Sequence, residues 1–264
     1  MSTEQPPQNL TVWLTGATSG IGLAVLAELV SKGHRVIATG RNRDKLESIM
    51  AEYGSAVTPL AGDVTDPGDC RRFREQLMEM QPIDWAILNA GTCEYMDVSA
   101  FDADLVSRVI NTNVVGTARA IEAVLPALRA SRGNRRRPLL AVVGSSAWWF
   151  PFTRSEAYGA SKAGIAYLTE SLRADLAAEG IDVSLVSPGF VRTPLTDQND
   201  FAMPFLMEAD DAARIMVRDL GRHKADIHFP KRFTLMLKLL ACLPRSLRDR
   251  MAASMARNNQ TLTD

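Results

Sequence analysis

The chain has 264 residues, and its 30 Lys and Arg are matched by 30 Asp and Glu for a formal net charge of zero. That length buries a sizeable core without disulfide or metal staples, and the neutral balance argues against a nucleic-acid-binding surface, which needs a basic excess. Cys70, Cys93 and Cys242 are scattered, without the spacing of a zinc site, and fit a reducing compartment.

The segment up to Asn9 is polar and carries Pro6 and Pro7; it lacks the charged and apolar regions of a signal peptide. No apolar run approaches the roughly 20 residues of a spanning helix. A soluble cytoplasmic protein is expected. Short apolar runs then alternate with longer amphipathic ones. Residues 10–14, 35–38, 56–60, 85–88, 139–143, 183–186 and 226–229 read as strands, several continuously apolar as in parallel strands covered on both faces. Helices are expected over 20–32, 44–52, 66–80, 104–129, 155–179 and 209–220. Gly33 suits the end of the first, and Asp66-Pro67 opens the third as an N-cap followed by proline. This alternation predicts an α/β fold: one Rossmann-like domain whose doubly wound parallel sheet carries helices on both faces. The core is expected over 10–230 and a helical C-terminal extension over 231–264. Residues 190–207 read as a long functional loop, and Arg132 with Arg135-Arg136-Arg137 as a solvated one.

The first strand runs into Thr15-Gly16-Ala17-Thr18-Ser19-Gly20-Ile21-Gly22. Strand before and helix after are the context a dinucleotide-binding glycine turn requires. The glycines admit a pyrophosphate to the backbone, and the helix start supplies free N–H groups and a favourable dipole. Candidate cofactor contacts are Gly16, Thr18, Ser19, Gly20, Ile21 and Gly22. The second strand ends in Thr39-Gly40-Arg41-Asn42-Arg43. A carboxylate here would hold a ribose 2′-hydroxyl and select NAD. Arg41 and Arg43 instead suit a 2′-phosphate, so NADP(H) is expected ahead of NAD(H).

Tyr158 and Lys162 in Tyr158-Gly159-Ala160-Ser161-Lys162 lie one helical turn apart. An unperturbed phenol titrates near pH ~10, and a nearby ammonium is expected to lower that value toward a useful range. The small residues between them let a cofactor approach.

Together the two motifs resemble the classical short-chain dehydrogenase/reductase family, and the resemblance runs from about Leu10 to Thr193. It implies that Tyr158 exchanges a proton with a carbonyl or alcohol oxygen and that Lys162 binds the nicotinamide ribose. It implies that Asp63 and Val64 meet the adenine and that Asn89, Ala90 and Gly91 support the cofactor, with Leu88 standing where the family usually has a second Asn. Asn113 matches the asparagine that anchors a water beside the lysine. In Ser187-Pro188-Gly189-Phe190-Val191-Arg192-Thr193, the residues Pro188, Gly189, Val191 and Thr193 would meet the nicotinamide end. For the catalytic serine, the strand end favours Ser146 and counting back from Tyr158 favours Ser145; Ser146 is taken as the choice.

Trp148-Trp149-Phe150-Pro151-Phe152 follows that serine. These aromatics either wall a substrate pocket or pack into the core or a subunit contact, and Phe190, Phe201 and Phe205 are placed to close the pocket. The expectation is an NADP(H)-dependent oxidoreductase acting on a bulky apolar or aromatic carbonyl or secondary alcohol, with no metal. The rival is a dinucleotide-binding sensor or scaffold without chemistry; an isomerase or dehydratase on the same scaffold ranks third. The family's usual glycine-rich ending is replaced by residues 231–250, apolar with a basic margin. Packing on its own domain ranks first for this segment, ahead of a lid, a homo-oligomer contact or a helix on a membrane surface.

Overall fold

The computed structural model describes residues 9–133 and 137–260, with side chains through Ser254. Most of the N-terminal segment assessed for a leader lies outside these residues, as do Arg135 and Arg136 of the basic cluster. The strands are β1 (Thr11–Thr15), β2 (Arg35–Thr39), β3 (Val57–Pro59), β4 (Trp85–Leu88), β5 (Leu139–Val143), β6 (Asp182–Pro188) and β7 (Asp226–Phe229). The helices are α1 (Gly20–Ser31), α2 (Arg43–Tyr53), α3 (Pro67–Glu79), α4 (Ala103–Ile110), α5 (Gly116–Ala130), α6 (Glu156–Ala177), α7 (Ala209–Leu220), α8 (Lys231–Ala241) and α9 (Arg245–Gln260).

All seven strands pair in parallel in the order β3-β2-β1-β4-β5-β6-β7. Period-two alternation divides their side chains between two cores. Val12, Leu14, Val36, Ala38, Trp85 and Ile87 face α1, α2 and α7. Trp13, Ile37, Ala86, Leu88, Leu140 and Val142 face α3, α5 and α6. Trp13 is fully buried against Phe73 and donates its indole N–H to Thr39 Oγ1 at 2.9 Å, so the largest side chain of β1 enters the core without an orphaned donor.

The order in which strands are added reverses between β1 and β4, which opens a crevice at their C-terminal edge, where open α/β sheets bind ligands. Two expectations change here. The long helix predicted over 104–129 breaks into α4 and α5 around a single π turn, Asn111–Val115, because the Asn113 side chain is drawn inward to Thr92 and Ser161. The third strand is shorter than the predicted 56–60. Around the predicted basic loop, Arg132 and Arg137 pair with Glu179 and Asp182. Among the described residues, no helix is long and apolar enough to cross a membrane, and no group of His, Cys, Asp or Glu could hold a metal ion.

Candidate active site

A cavity of about 730 Å³ runs along the crevice from the β1–α1 turn to α6. Every residue expected to hold the cofactor lines it except Gly22 and Arg43. Gly22 acts from behind the wall: a Cβ there would sit 2.0 Å from the Gly16 carbonyl oxygen and 2.6 Å from Asn89 Nδ2. Asn89 Nδ2 in turn donates to that oxygen at 3.2 Å. Gly16 itself has φ +67°, in the left-handed region that favours glycine. Arg43 begins α2 and does not line the cavity, whereas Arg41 lines it, 80% exposed, with Nη1 3.9 Å from Asp63 Oδ2. Asp63 also closes a local turn, its Oδ1 accepting from the Thr65 amide and hydroxyl at 2.8 Å.

The N-terminus of α1 is built for an anion. Side chains of Asn42, Asp66 and Asp102 cap α2, α3 and α4. Ser19 makes no such bond at α1, and no acidic residue occupies its first turn. The first-turn amides are therefore left for a ligand. This open helix end, the glycine cradle and the cavity's size together fit a dinucleotide. Thr193 approaches the same turn, its Cγ2 being 3.0 Å from where a Gly20 Cβ would lie.

At the other end, α6 presents Tyr158 and Lys162 from one face. Lys162 is buried; its Nζ donates to the Val143 carbonyl at 3.1 Å and lies 5.5 Å from the Tyr158 ring centroid. Burial pulls its pKa down to about 8, with a potential thiolate at Cys93 opposing. Gly91 makes room for this arrangement: a Cβ there would lie 3.1 Å from Asn113 Oδ1 and 3.5 Å from Lys162 Nζ. Asn113 is fully buried and lines no part of the cavity. Its Oδ1 accepts from the Thr92 amide at 2.7 Å, and its Nδ2 donates to the Thr92 carbonyl and Ser161 Oγ at 2.9 Å. It ties the strand-end loop to α6 one residue before Lys162.

The phenol differs from expectation. Tyr158 is half-buried and lines the cavity. Burial pushes its pKa above the usual phenol value, Cys93 adds to the rise, and a hydrogen bond with Ser145 opposes it. Desolvation dominates, and Lys162 is not among the groups that shift the phenol in the protein alone. The serine facing the phenol is thus Ser145, not Ser146. Both serines are buried after β5; Ser146 begins a 3₁₀ turn over Ser146–Trp148 and lines, with Ser145 and Tyr158, a further cavity.

A second cavity, of about 330 Å³, opens on the far side of Tyr158. Ser145, Tyr158, Gly189, Leu195 and Thr196 line both cavities. Phe152, Phe190, Phe201 and Phe233 supply the apolar walls of the second, and Cys93, Tyr95 and Asn199 its polar ones. Trp149 and Phe150 instead enter a core cluster with Phe233 and Leu237 of α8. Trp148 donates its indole N–H to Ser187 Oγ at 3.3 Å, and Phe205 stays exposed. Phe233 was not anticipated. It comes from the C-terminal extension and stacks on Phe190 with centroids 5.4 Å apart; nothing local in its sequence marks it.

Residues 10–202 match the family model for short chain dehydrogenases. An uncharacterized oxidoreductase of Myxococcus xanthus is 35% identical over 246 residues, covering 92% of this chain and 96% of that one. A short chain dehydrogenase from Burkholderia cenocepacia J2315, solved in complex with NADP, shares the fold with a TM-score of 0.80 and 23% identity over 92% of this chain and 97% of that one. One from Burkholderia phymatum, solved with NAD, gives 0.79 and 19% over 89% and 94%. The chain belongs to the short-chain dehydrogenase family of oxidoreductases.

Proposed function

We propose that this oxidoreductase uses NADP(H) to interconvert a carbonyl and a secondary alcohol on a bulky apolar or aromatic substrate. The observation that carries this reading is the meeting of a glycine-lined cavity and an aromatic one at Tyr158 and Ser145. A phenol at such a boundary touches reactants from both sides. The bound nicotinamide supplies or accepts the hydride. In the reductive direction, Tyr158 Oη gives its proton to the carbonyl oxygen as that oxygen gains negative charge, and the Ser145 hydroxyl donates a hydrogen bond to the same oxygen. Burial keeps the phenol protonated, which is the form reduction needs. Lys162, tethered at Val143, stands beneath the ring with a pKa near working pH and is suited to restore the proton.

Support for NADP(H) comes from Arg41 at the cavity wall and the absence of a carboxylate at the end of β2. A 2′-phosphate is the anion that an exposed guanidinium there would pair with. Related structures have been solved with NADP and with NAD, so the preference rests on Arg41. The test is NADPH oxidation against a panel of aromatic and aliphatic ketones and aldehydes, with Ser145→Ala and Ser146→Ala run in parallel. Aromatic ketones should turn over best, and Ser145→Ala should lower kcat/KM about 100-fold, the effect of losing one donor to a developing oxyanion. Ser146→Ala should leave it within a few-fold. A reversed order would return the role to Ser146, and turnover confined to small charged substrates would contradict the apolar pocket.

A further inference from the structure

We propose that the outward face of α8, with α9, docks on an anionic lipid surface. One side of α8 is committed to the domain: Phe233 and Leu237 are buried against Trp149 and Phe150, and Thr234 bonds His228 of β7 at 2.7 Å. The opposite side is also apolar. Leu235 is 51% exposed, Met236 42% and Leu239 71%, and α9 adds Leu247 and Met251 at 45% and 39%. Positions 235, 236 and 239 follow helical spacing and form one stripe. A single exposed leucine needs no explanation, but a contiguous apolar stripe marks a contact surface.

Charge identifies the occupant. Residues 231–254 hold Lys231, Arg232, Lys238, Arg245, Arg248 and Arg250 against a single acid, Asp249, in a chain whose total charge is zero. Lys238 is engaged by Asp226 at 2.6 Å. Among the described residues, Lys231, Arg232 and Arg250 have no ion-pair partner, and all three are exposed. Apolar side chains bordered by free cations match a surface with an acyl interior and phosphate headgroups. A second copy of this chain on a two-fold axis would set the same cations against themselves, which disfavours self-association through this face. The arrangement places an apolar substrate source beside the aromatic cavity, since Phe233 lines that cavity from the inner side of the same helix. The docking surface itself does not rest on the proposed reaction.

Flotation of the full chain with phosphatidylcholine vesicles, with and without phosphatidylglycerol, tests this. The protein should float with the phosphatidylglycerol vesicles at low salt, and remain below with phosphatidylcholine alone or at high salt. Leu235→Asp with Leu239→Asp should cut the floated fraction about tenfold, with an unchanged melting temperature because both side chains are solvent-facing. No flotation at low salt, flotation indifferent to the paired aspartates, or equal binding to neutral vesicles would each overturn the proposal. So would a dimer in solution that those aspartates dissociate, since that assigns the face to a second copy.

Discussion

Lys162 Nζ is hydrogen-bonded to the backbone carbonyl of Val143, not to a carboxylate, and this ties α6 to the end of β5. The cation is therefore buried without a counter-charge and titrates near 8 rather than at 10.5. Between those two values the unfolded chain binds more protons than the folded one, so stability rises with pH across that window. Below about pH 8 both states carry the charge and the full cost of burying it applies. Lys162→Met removes the ionisable group. Urea midpoints of the wild type should climb relative to the variant from pH 8 to 10.5, by up to about 3 kcal/mol in unfolding free energy. Parallel profiles would mean that the lysine is solvated in the fold.

His228 offers a second pH signature, on the opposite side of neutrality. It is buried on β7, with Nδ1 2.7 Å from Thr234 Oγ1 and its ring edge-on to Trp149. Burial lowers its pKa to about 4, Lys231 and Lys238 push the same way, and Asp226 opposes. The neutral form is the folded one, so the stability it contributes is present above pH 6.5 and is lost as pH falls toward 4. Replacing it with Gln should flatten the fall in melting temperature over that range. Because Thr234 and Lys238 are on α8, the acid transition should also release the C-terminal extension, visible as earlier proteolysis there. An acid limb unchanged in His228→Gln would exclude this histidine as its source.

Some of this architecture was readable from residue order, and the exceptions have physical causes. The β1–turn–α1 unit was legible because glycine at 16 and 22 answers purely local demands, a positive φ and a close backbone approach. The strand alternation was legible because both faces of the sheet are covered. The break at Asn113 was not: nothing in Asn111-Thr112-Asn113 specifies a π turn, which exists because Thr92 and Ser161, distant in sequence, bond that amide. For the serine the two signals in the sequence disagreed, the strand end favouring Ser146 and the count back from Tyr158 favouring Ser145, and the fold places Ser145 at the phenol. The aromatic run at 148–152 could line a pocket or fill a core, and α8 decided it by covering Trp149 and Phe150. The direction of the Tyr158 shift was missed because spacing reveals a neighbouring charge but not how much water either group has lost.

Gly22→Ala should be more damaging than an ordinary helix substitution, which alanine would normally favour. The added methyl would overlap the Gly16 carbonyl at 2.0 Å and displace Asn89, forcing the turn open. A loss of about 1–3 kcal/mol in stability, typical of overpacking, should accompany loss of dinucleotide binding by calorimetry. Normal affinity would show that the turn does not hold the cofactor.

Arg41→Ala should separate the two dinucleotides. A charge-assisted hydrogen bond contributes about 1.5–3 kcal/mol, so KM for NADPH should rise roughly 10- to 100-fold while that for NADH changes little. Arg43→Ala, on the side chain outside the cavity, should have a small effect on both. Equal losses for NADPH and NADH in Arg41→Ala would remove the phosphate assignment.

The junction at residue 158 is tested most directly by kcat/KM of Tyr158→Phe with NADPH and the best aromatic ketone, paired with NADPH affinity measured by fluorescence. Removing the one proton donor should lower kcat/KM by about 100- to 10,000-fold while NADPH still binds with near wild-type affinity. Turnover within a few-fold of wild type would show that the proton comes from elsewhere.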